Sequence, residues 1–191
     1  ENDFNFDIKD LEKRLTPKTK LLILNSPANP TGGFLEKADL EKIVKALAKY
    51  PDVMVLSDEI YSRILYGGKH HSIAEFPGMK ERTIILDGFS KTFAMTGWRM
   101  GYAAAPKALV TAMARLATNC HSCTASFSQI AGIEALQGPQ DAVEKMVGEF
   151  RRRRDAIVEG LNRLPGFSCR MPKAAFYVFP NCSELFGRSW N

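Results

Sequence analysis

The sequence predicts an α/β fold, a mainly parallel sheet flanked by helices, and three observations carry that reading. Short apolar runs at Leu21 to Leu24, Val53 to Leu56 and Thr83 to Leu86 have strand length. Between the first two lies Glu36 to Tyr50, whose Leu40, Ile43, Val44 and Leu47 recur at helical spacing. Alternation of the two patterns is the βαβ rhythm of a buried, parallel-rich sheet.

The remaining elements follow in order. Ile8 to Leu15 reads as a helix ahead of the first strand, and Pro51-Asp52 breaks the pattern before the second. Met100 to Ala105 is a candidate fourth strand. Lys107 to Leu116 and Ser126 to Leu136 are helical, Gly138-Pro139 punctuates, and a long amphipathic helix runs from Asp141 to Leu164. Pro165-Gly166 stops it, and Phe167 to Met171 and Ala175 to Phe179 read as short strands. No internal repeat or low-complexity segment interrupts the chain.

Composition narrows the class. The 191 residues are enough for one domain, or one domain with a piece of another, and should bury a core. Shares of 45% hydrophobic and 25% charged residues are those of an ordinary soluble protein. No apolar stretch approaches the roughly 20 residues that cross a bilayer, and Glu1-Asn2-Asp3 does not begin a signal peptide. The net charge of +5 raises the question of a nucleic-acid partner. Its main cluster, Arg151 to Arg154, is however four consecutive residues, which spread around a helix as solvated charges or ion pairs instead of forming a stripe. No nucleic-acid motif accompanies it. Four scattered cysteines, Cys120, Cys123, Cys169 and Cys182, are too few for a disulfide scaffold and fit a reduced cytoplasmic setting. Cys120 and Cys123 have C-x-x-C spacing, but no second pair supplies zinc, and they read as ordinary thiols.

Chemistry points to Lys91. It sits among small and apolar residues directly after a predicted strand, poorly placed for solubility and well placed for covalent work. Partial desolvation and a nearby cation, Arg99, favour the neutral amine that attacks an aldehyde. Asn29, Asp58 and Lys91 each fall just beyond the carboxyl end of a predicted strand, where open α/β sheets bind ligands.

Asn29-Pro30-Thr31-Gly32, Asp58-Glu59-Ile60-Tyr61 and Ser90-Lys91 with Arg99 eight residues on, in that order, resemble the aspartate aminotransferase family of fold-type I pyridoxal-phosphate enzymes. The resemblance covers nearly the whole chain, and Ser90 to Tyr102 is most similar to the bacterial aspartate and aromatic branch. It implies pyridoxal 5'-phosphate as cofactor, with Lys91 holding it covalently and then moving the proton from the substrate Cα to C4′. It implies Asp58 beside the pyridine nitrogen, Tyr61 and Asn29 donating to the phenolate oxygen, and Arg99 with Ser90 at the phosphate. Bland readings stand beside these: a capping Asp58, a packed Tyr61 and, for Asn29, a turn asparagine before Pro30. Gly88 stands where many members have a phosphate-binding serine, which makes Ser90 the weaker phosphate candidate. Trp98 and Phe93 read as packing residues, and His70 and His71 as loop residues without a role.

The same resemblance implies that residues 1–138 are part of a large cofactor-binding domain, 139–165 an interdomain helix and 166–191 the start of a small domain. The family's phosphate turn and ring-stacking aromatic do not precede Asn29, and its substrate-carboxylate arginine does not precede Asn191, so a fragment is expected. The implied activity of the full-length parent is transfer of an amino group between an amino acid, aspartate or aromatic, and a 2-oxo acid. A homodimer with neither nucleic acid nor membrane as partner is the implied assembly. Two alternatives remain open: another fold-type I enzyme (lyase, synthase or decarboxylase), and a catalytically silent fragment.

Overall fold

The computed structural model describes residues 6–189. Glu1-Asn2-Asp3, read above as unlike a leader, lie outside the described residues. Four strands, β1 (Leu21–Asn25), β2 (Met54–Asp58), β3 (Thr83–Gly88) and β4 (Gly101–Ala104), form one sheet in that spatial order. The first three are parallel and β4 is antiparallel to β3. Helices α1 (Ile8–Arg14) and α2 (Lys37–Leu47) precede and follow β1, and the one-turn α3 (Phe89–Thr92) follows β3 directly. After β4 come α4 (Lys107–Cys120), α5 (Ser126–Gln137) and the 22-residue α6 (Asp141–Asn162).

The helical spacing seen in the sequence places α2 against one face of the sheet. Leu40, Ile43, Ala46 and Leu47 are buried with Val53 and Val55 beneath them, and Ile73 and Met79 close the same cluster. Glu36 and Asp39 cap the start of α2 reciprocally, each side chain accepting from the other's backbone N–H. On the opposite face the sheet is open at β1, where Leu21 is 42% and Ile23 is 64% exposed. The expectation of a fully buried sheet therefore holds for one face of β1 only, because α2 covers Leu22 and Leu24 and not their alternating neighbours.

The two short strands expected near the C-terminus are absent. Isolated bridges, Ser168 with Asn181 and Leu65 with Ala174, replace them. Ala175 has φ 57°, which breaks the extended run at the start of the second expected strand. The segment instead binds the chain after β2: Tyr66 N–H donates to Lys173 O at 2.9 Å and Ala175 N–H to Ile64 O at 2.8 Å. Ala174 and Ala175 are completely buried there.

Of the four arginines in α6, Arg152 and Arg153 share Glu149 at 2.7 and 2.8 Å with side chains 70% and 66% exposed, as a solvated helix surface should be. Arg154 differs. Its side chain is 14% exposed, donates to Pro172 O at 3.1 Å and lies 4.4 Å over the Tyr66 ring, so it ties α6 to the C-terminal segment.

His70 lies in a loop, as read from the sequence, but holds a structural contact there. Its Nε2 lies 3.0 Å from Oε2 of Glu59, a buried carboxylate that also accepts from Ser57 at 2.9 Å and Ser72 at 2.6 Å. Burial raises the Glu59 pKa, but the hydrogen bonds from His70, Ser72 and Ser57 overcome it and hold the carboxyl below its usual value. This network pins the segment carrying His70 and Ser72 to the end of β2.

Two expectations follow from this packing. Ile43→Ala, at a position with no exposed surface, should cost about 2–5 kcal/mol in urea denaturation, whereas Ile23→Ala on the open face should stay within about 0.5 kcal/mol. Because the folded-state pKa of Glu59 is depressed, its contribution to stability is complete above the usual 4.5 and is lost as pH falls through the folded value. Glu59→Gln should accordingly flatten the acid limb of a Tm-against-pH curve; an unchanged limb would show that the network carries no linkage.

Candidate functional site

Strand polarity assembles the site. In the parallel pairing of β1 and β2, Asn25 stands opposite Asp58, and Leu86 on β3 is the next partner across. Paired residues share a face, so Asn25 and Asp58 lie on the open side with Ile23, while Val55, Ser57 and Glu59 face the α2 side. Asp58 Oδ2 accepts from Asn25 Nδ2 at 3.0 Å, and Oδ1 accepts from the Ile60 N–H at 3.3 Å. A carboxylate has about four lone-pair directions. Two are used by these donors among the described residues, and the others suit a further N–H.

Tyr61 follows Asp58 by three residues and turns inward, 3% exposed. Its hydroxyl lies 2.5 Å from that of Tyr177, and its ring packs edge-on against Phe176 at 5.3 Å. Burial first, then the Tyr177 hydroxyl and the negative charge of Asp58, push the Tyr61 pKa above the ordinary phenol value; a side-chain hydrogen bond with Asn29 pulls the other way. Tyr61 therefore remains a phenol at neutral pH and keeps a proton to donate. Asn29 is exposed, its backbone N–H held at 2.8 Å by Asn25 Oδ1, so it is both a turn asparagine and a neighbour of Tyr61.

Lys91 lies in α3, directly after β3, where the helix begins at Gly88 without a side-chain cap. Gly88 has little room for anything larger, since a Cβ there would meet Gly101 Cα at 3.1 Å and Met100 O at 3.2 Å. A serine at that position would thus press on the β3–β4 crossing. Lys91 is half-buried, and its Nζ stands 5.8 Å from the centre of the Phe176 ring. Ser90 is half-buried, and its carbonyl accepts from the Thr96 hydroxyl at 2.9 Å. Arg99 is exposed, has φ 52°, and donates one N–H to Thr96 O at 2.8 Å. It lines a cavity of about 840 Å³ together with Gly97, Trp98 and Ser128. Trp98 is not the packed residue expected: it is 44% exposed, with its ring edge-on to Phe127 at 6.1 Å. Phe93 is half-buried and packs on Phe89, ring centres 5.7 Å apart.

Asn29, Asp58, Tyr61 and Lys91 are thus linked through a connected set of contacts that also contains Asn25, Phe176 and Tyr177. These last three escaped the sequence reading. Asn25 carried a usable signal, as a polar residue closing an apolar strand four positions before Asn29; Tyr177 and Phe176 carried none, because only the fold brings residues 116 positions apart to hydroxyl contact. The donor set suits pyridoxal phosphate: a carboxylate for a ring N–H, a phenol for an anionic ring oxygen, an amine for an aldehyde, and a guanidinium for a phosphate. Among the described residues no cluster of three or more potential ligands could hold a metal ion, all four cysteines are free thiols, and no helix is long and apolar enough to cross a membrane.

Comparison with known proteins agrees with this geometry. The family model "Aminotransferase class I and II" matches residues 1–188. An aspartate aminotransferase of Rhizobium meliloti (strain 1021) is 42% identical over 187 residues, which is 97% of this chain and 46% of the relative. Aromatic-amino-acid aminotransferase 2 of Thermococcus litoralis is 46% identical, over 96% of this chain and 48% of its own. Among solved structures, the aspartate aminotransferase from Rhizobium meliloti superposes with a TM-score of 0.92 at 42% identity, covering 95% of this chain and 46% of that one. The aromatic aminotransferase from Pyrococcus horikoshii does so with a TM-score of 0.89 at 43% identity, over 94% and 48%. The chain therefore spans about half the length of the relatives it matches. With its sheet order, the Asp58 carboxylate closing β2, Lys91 just after β3 and a match over residues 1–188, the chain belongs to the class I and II aminotransferase family.

Proposed function

We propose that the protein is a pyridoxal-phosphate-dependent aminotransferase, exchanging an amino group between an amino acid, aspartate or an aromatic one, and a 2-oxo acid. The observation that carries this reading is the convergence of Asp58, Tyr61 and Lys91 at neighbouring strand ends, and the names of the relatives support the two substrate classes. When bound, the cofactor supplies an electron sink for the pair left at the substrate Cα.

The residues divide the work. Asp58 holds the proton on the pyridine nitrogen, its negative charge favouring the protonated ring. Tyr61, kept protonated by its surroundings, and Asn29 donate hydrogen bonds to the ring oxygen. Lys91 would hold the cofactor through its side-chain amine and would be the group that takes up and returns the substrate Cα proton. Arg99 grips the phosphate with its planar fork, and Ser90 adds a hydroxyl. The Phe176 ring centre lies 5.8 Å from the Lys91 amine and offers it an aromatic face.

Residues 1–138 as cofactor domain, 139–165 as interdomain helix and 166–191 as the start of a small domain complete the reading. So do a cytoplasmic location, supported by four free thiols, and a homodimer, supported by the exposed apolar Phe127, Ile130 and Ile133 of α5.

The first test is borohydride reduction of the protein with added pyridoxal phosphate, followed by mapping of the modified residue. A single adduct on Lys91 is expected, and adducts scattered over surface lysines would overturn the assignment. In assays of amino-group transfer, Lys91→Ala should abolish turnover and Lys91→Arg should not rescue it, since a guanidinium is never neutral. Asp58→Ala should lower kcat by roughly a hundredfold or more, the loss that follows when a preorganised charge partner is removed.

A further inference from the structure

Asn25 ends β1 opposite Asp58, and its carboxamide joins two residues of the proposed cofactor site. Nδ2 donates to Asp58 Oδ2 at 3.0 Å, and Oδ1 accepts from the Asn29 N–H at 2.8 Å. The partners leave one orientation of the amide: an ionised carboxylate only accepts, and a backbone N–H only donates, so the NH2 must face Asp58 and the carbonyl must face Asn29. Asp58 is then held at both oxygens from two sides, with the Ile60 N–H at 3.3 Å on Oδ1. The Asn29 side chain in turn neighbours the Tyr61 hydroxyl and lowers its pKa against the effect of burial.

We propose that Asn25 is a positioning residue of this site. It sets the plane of the Asp58 carboxylate and the place of Asn29 at the same time, so the groups at the ring nitrogen and at the ring oxygen are held by one side chain. The inference rests on the cofactor reading above. Asn25 touches neither cofactor nor substrate in this account and acts through Asp58 and Asn29.

The bland alternative is a strand end that merely satisfies its own polar groups. The two roles separate in the behaviour of two variants. Asn25→Ala removes a charge-assisted hydrogen bond, and pyridoxal phosphate affinity, measured by titrating the absorption of the bound cofactor, should weaken about tenfold at every pH. Asn25→Asp sets a second carboxyl beside Asp58. Two carboxylates that close cannot both ionise without strain, so at the acid end a shared proton restores a donor, and as pH rises both ionise and repel. Its affinity should approach wild type at low pH and fall steeply with rising pH, with the wild type as reference at each pH.

The turnover of Asn25→Ala should fall in kcat with the KM for the amino donor little changed. If both variants bind within twofold of wild type across the pH range, the inference is overturned while the cofactor reading stands. If the wild-type protein takes up no pyridoxal phosphate, the reading itself fails and the inference with it. Should Asn25→Ala melt too early to be measured, the Asn25→Asp titration decides: a steep fall with pH supports the proposal and a flat profile overturns it.

Discussion

The in-register parallel pairing of β1 with β2 is the constraint on which the rest depends. It sets Asn25 against Asp58 on the open face and, one pair earlier, Leu24 against Ser57 on the face that α2 covers. A slip of one residue would turn the Asp58 carboxylate toward the α2 core and leave Val55 on the open side. That error would bury an unpaired charge among Leu40, Ile43 and Leu47, at a cost far above what a single ladder bond returns. The apolar stripe of α2 therefore does more than fill a core. It fixes which face the chemistry occupies.

Adjacent carboxylates then acquire different tasks from the same strand. Asp58 and Glu59 point to opposite sides of the end of β2. Glu59 accepts from three side chains on the inner side and is structural, whereas Asp58 accepts from Asn25 and Ile60 on the open side. Asp87, the next acid along the sheet, behaves in a third way: burial raises its pKa against the hydrogen bonds from Gly88 and Tyr102. Glu59 and Asp87 thus shift in opposite directions, the first held down by its three side-chain donors and the second pushed up by burial.

Closure of the site comes from the far end of the chain. Gly32 permits it: with φ +67°, a Cβ there would stand 2.7 Å from Pro172 Cβ and 3.2 Å from Tyr177 O. This close approach lets the Asn-Pro-Thr-Gly turn meet the segment that delivers Phe176 and Tyr177, and Arg154 of α6 secures that segment from outside. The turn motif and the C-terminal strip are therefore one packing unit, although their residues lie far apart in sequence.

Local pattern alone was enough for α2, α6 and β1 to β3, because the two helices repeat apolar residues at a spacing near 3.6 and the three strands are short apolar runs between turn residues. Motif order alone was enough for the family and for Asn29, Asp58, Tyr61, Ser90, Lys91 and Arg99 as candidates. The tertiary structure decided what periodicity cannot encode. It made Phe167 to Phe179 a strip with isolated bridges instead of two strands, because Lys173 and Ala175 pair with Tyr66 and Ile64 while Ser168 pairs with Asn181. It drew His70 onto Glu59 and Arg154 onto Tyr66, and it brought Tyr177 to Tyr61 and Asn25 to Asp58. Each of these is a contact between separate chain segments whose distance is set by the packing of whole elements, and no property of either segment alone specifies it.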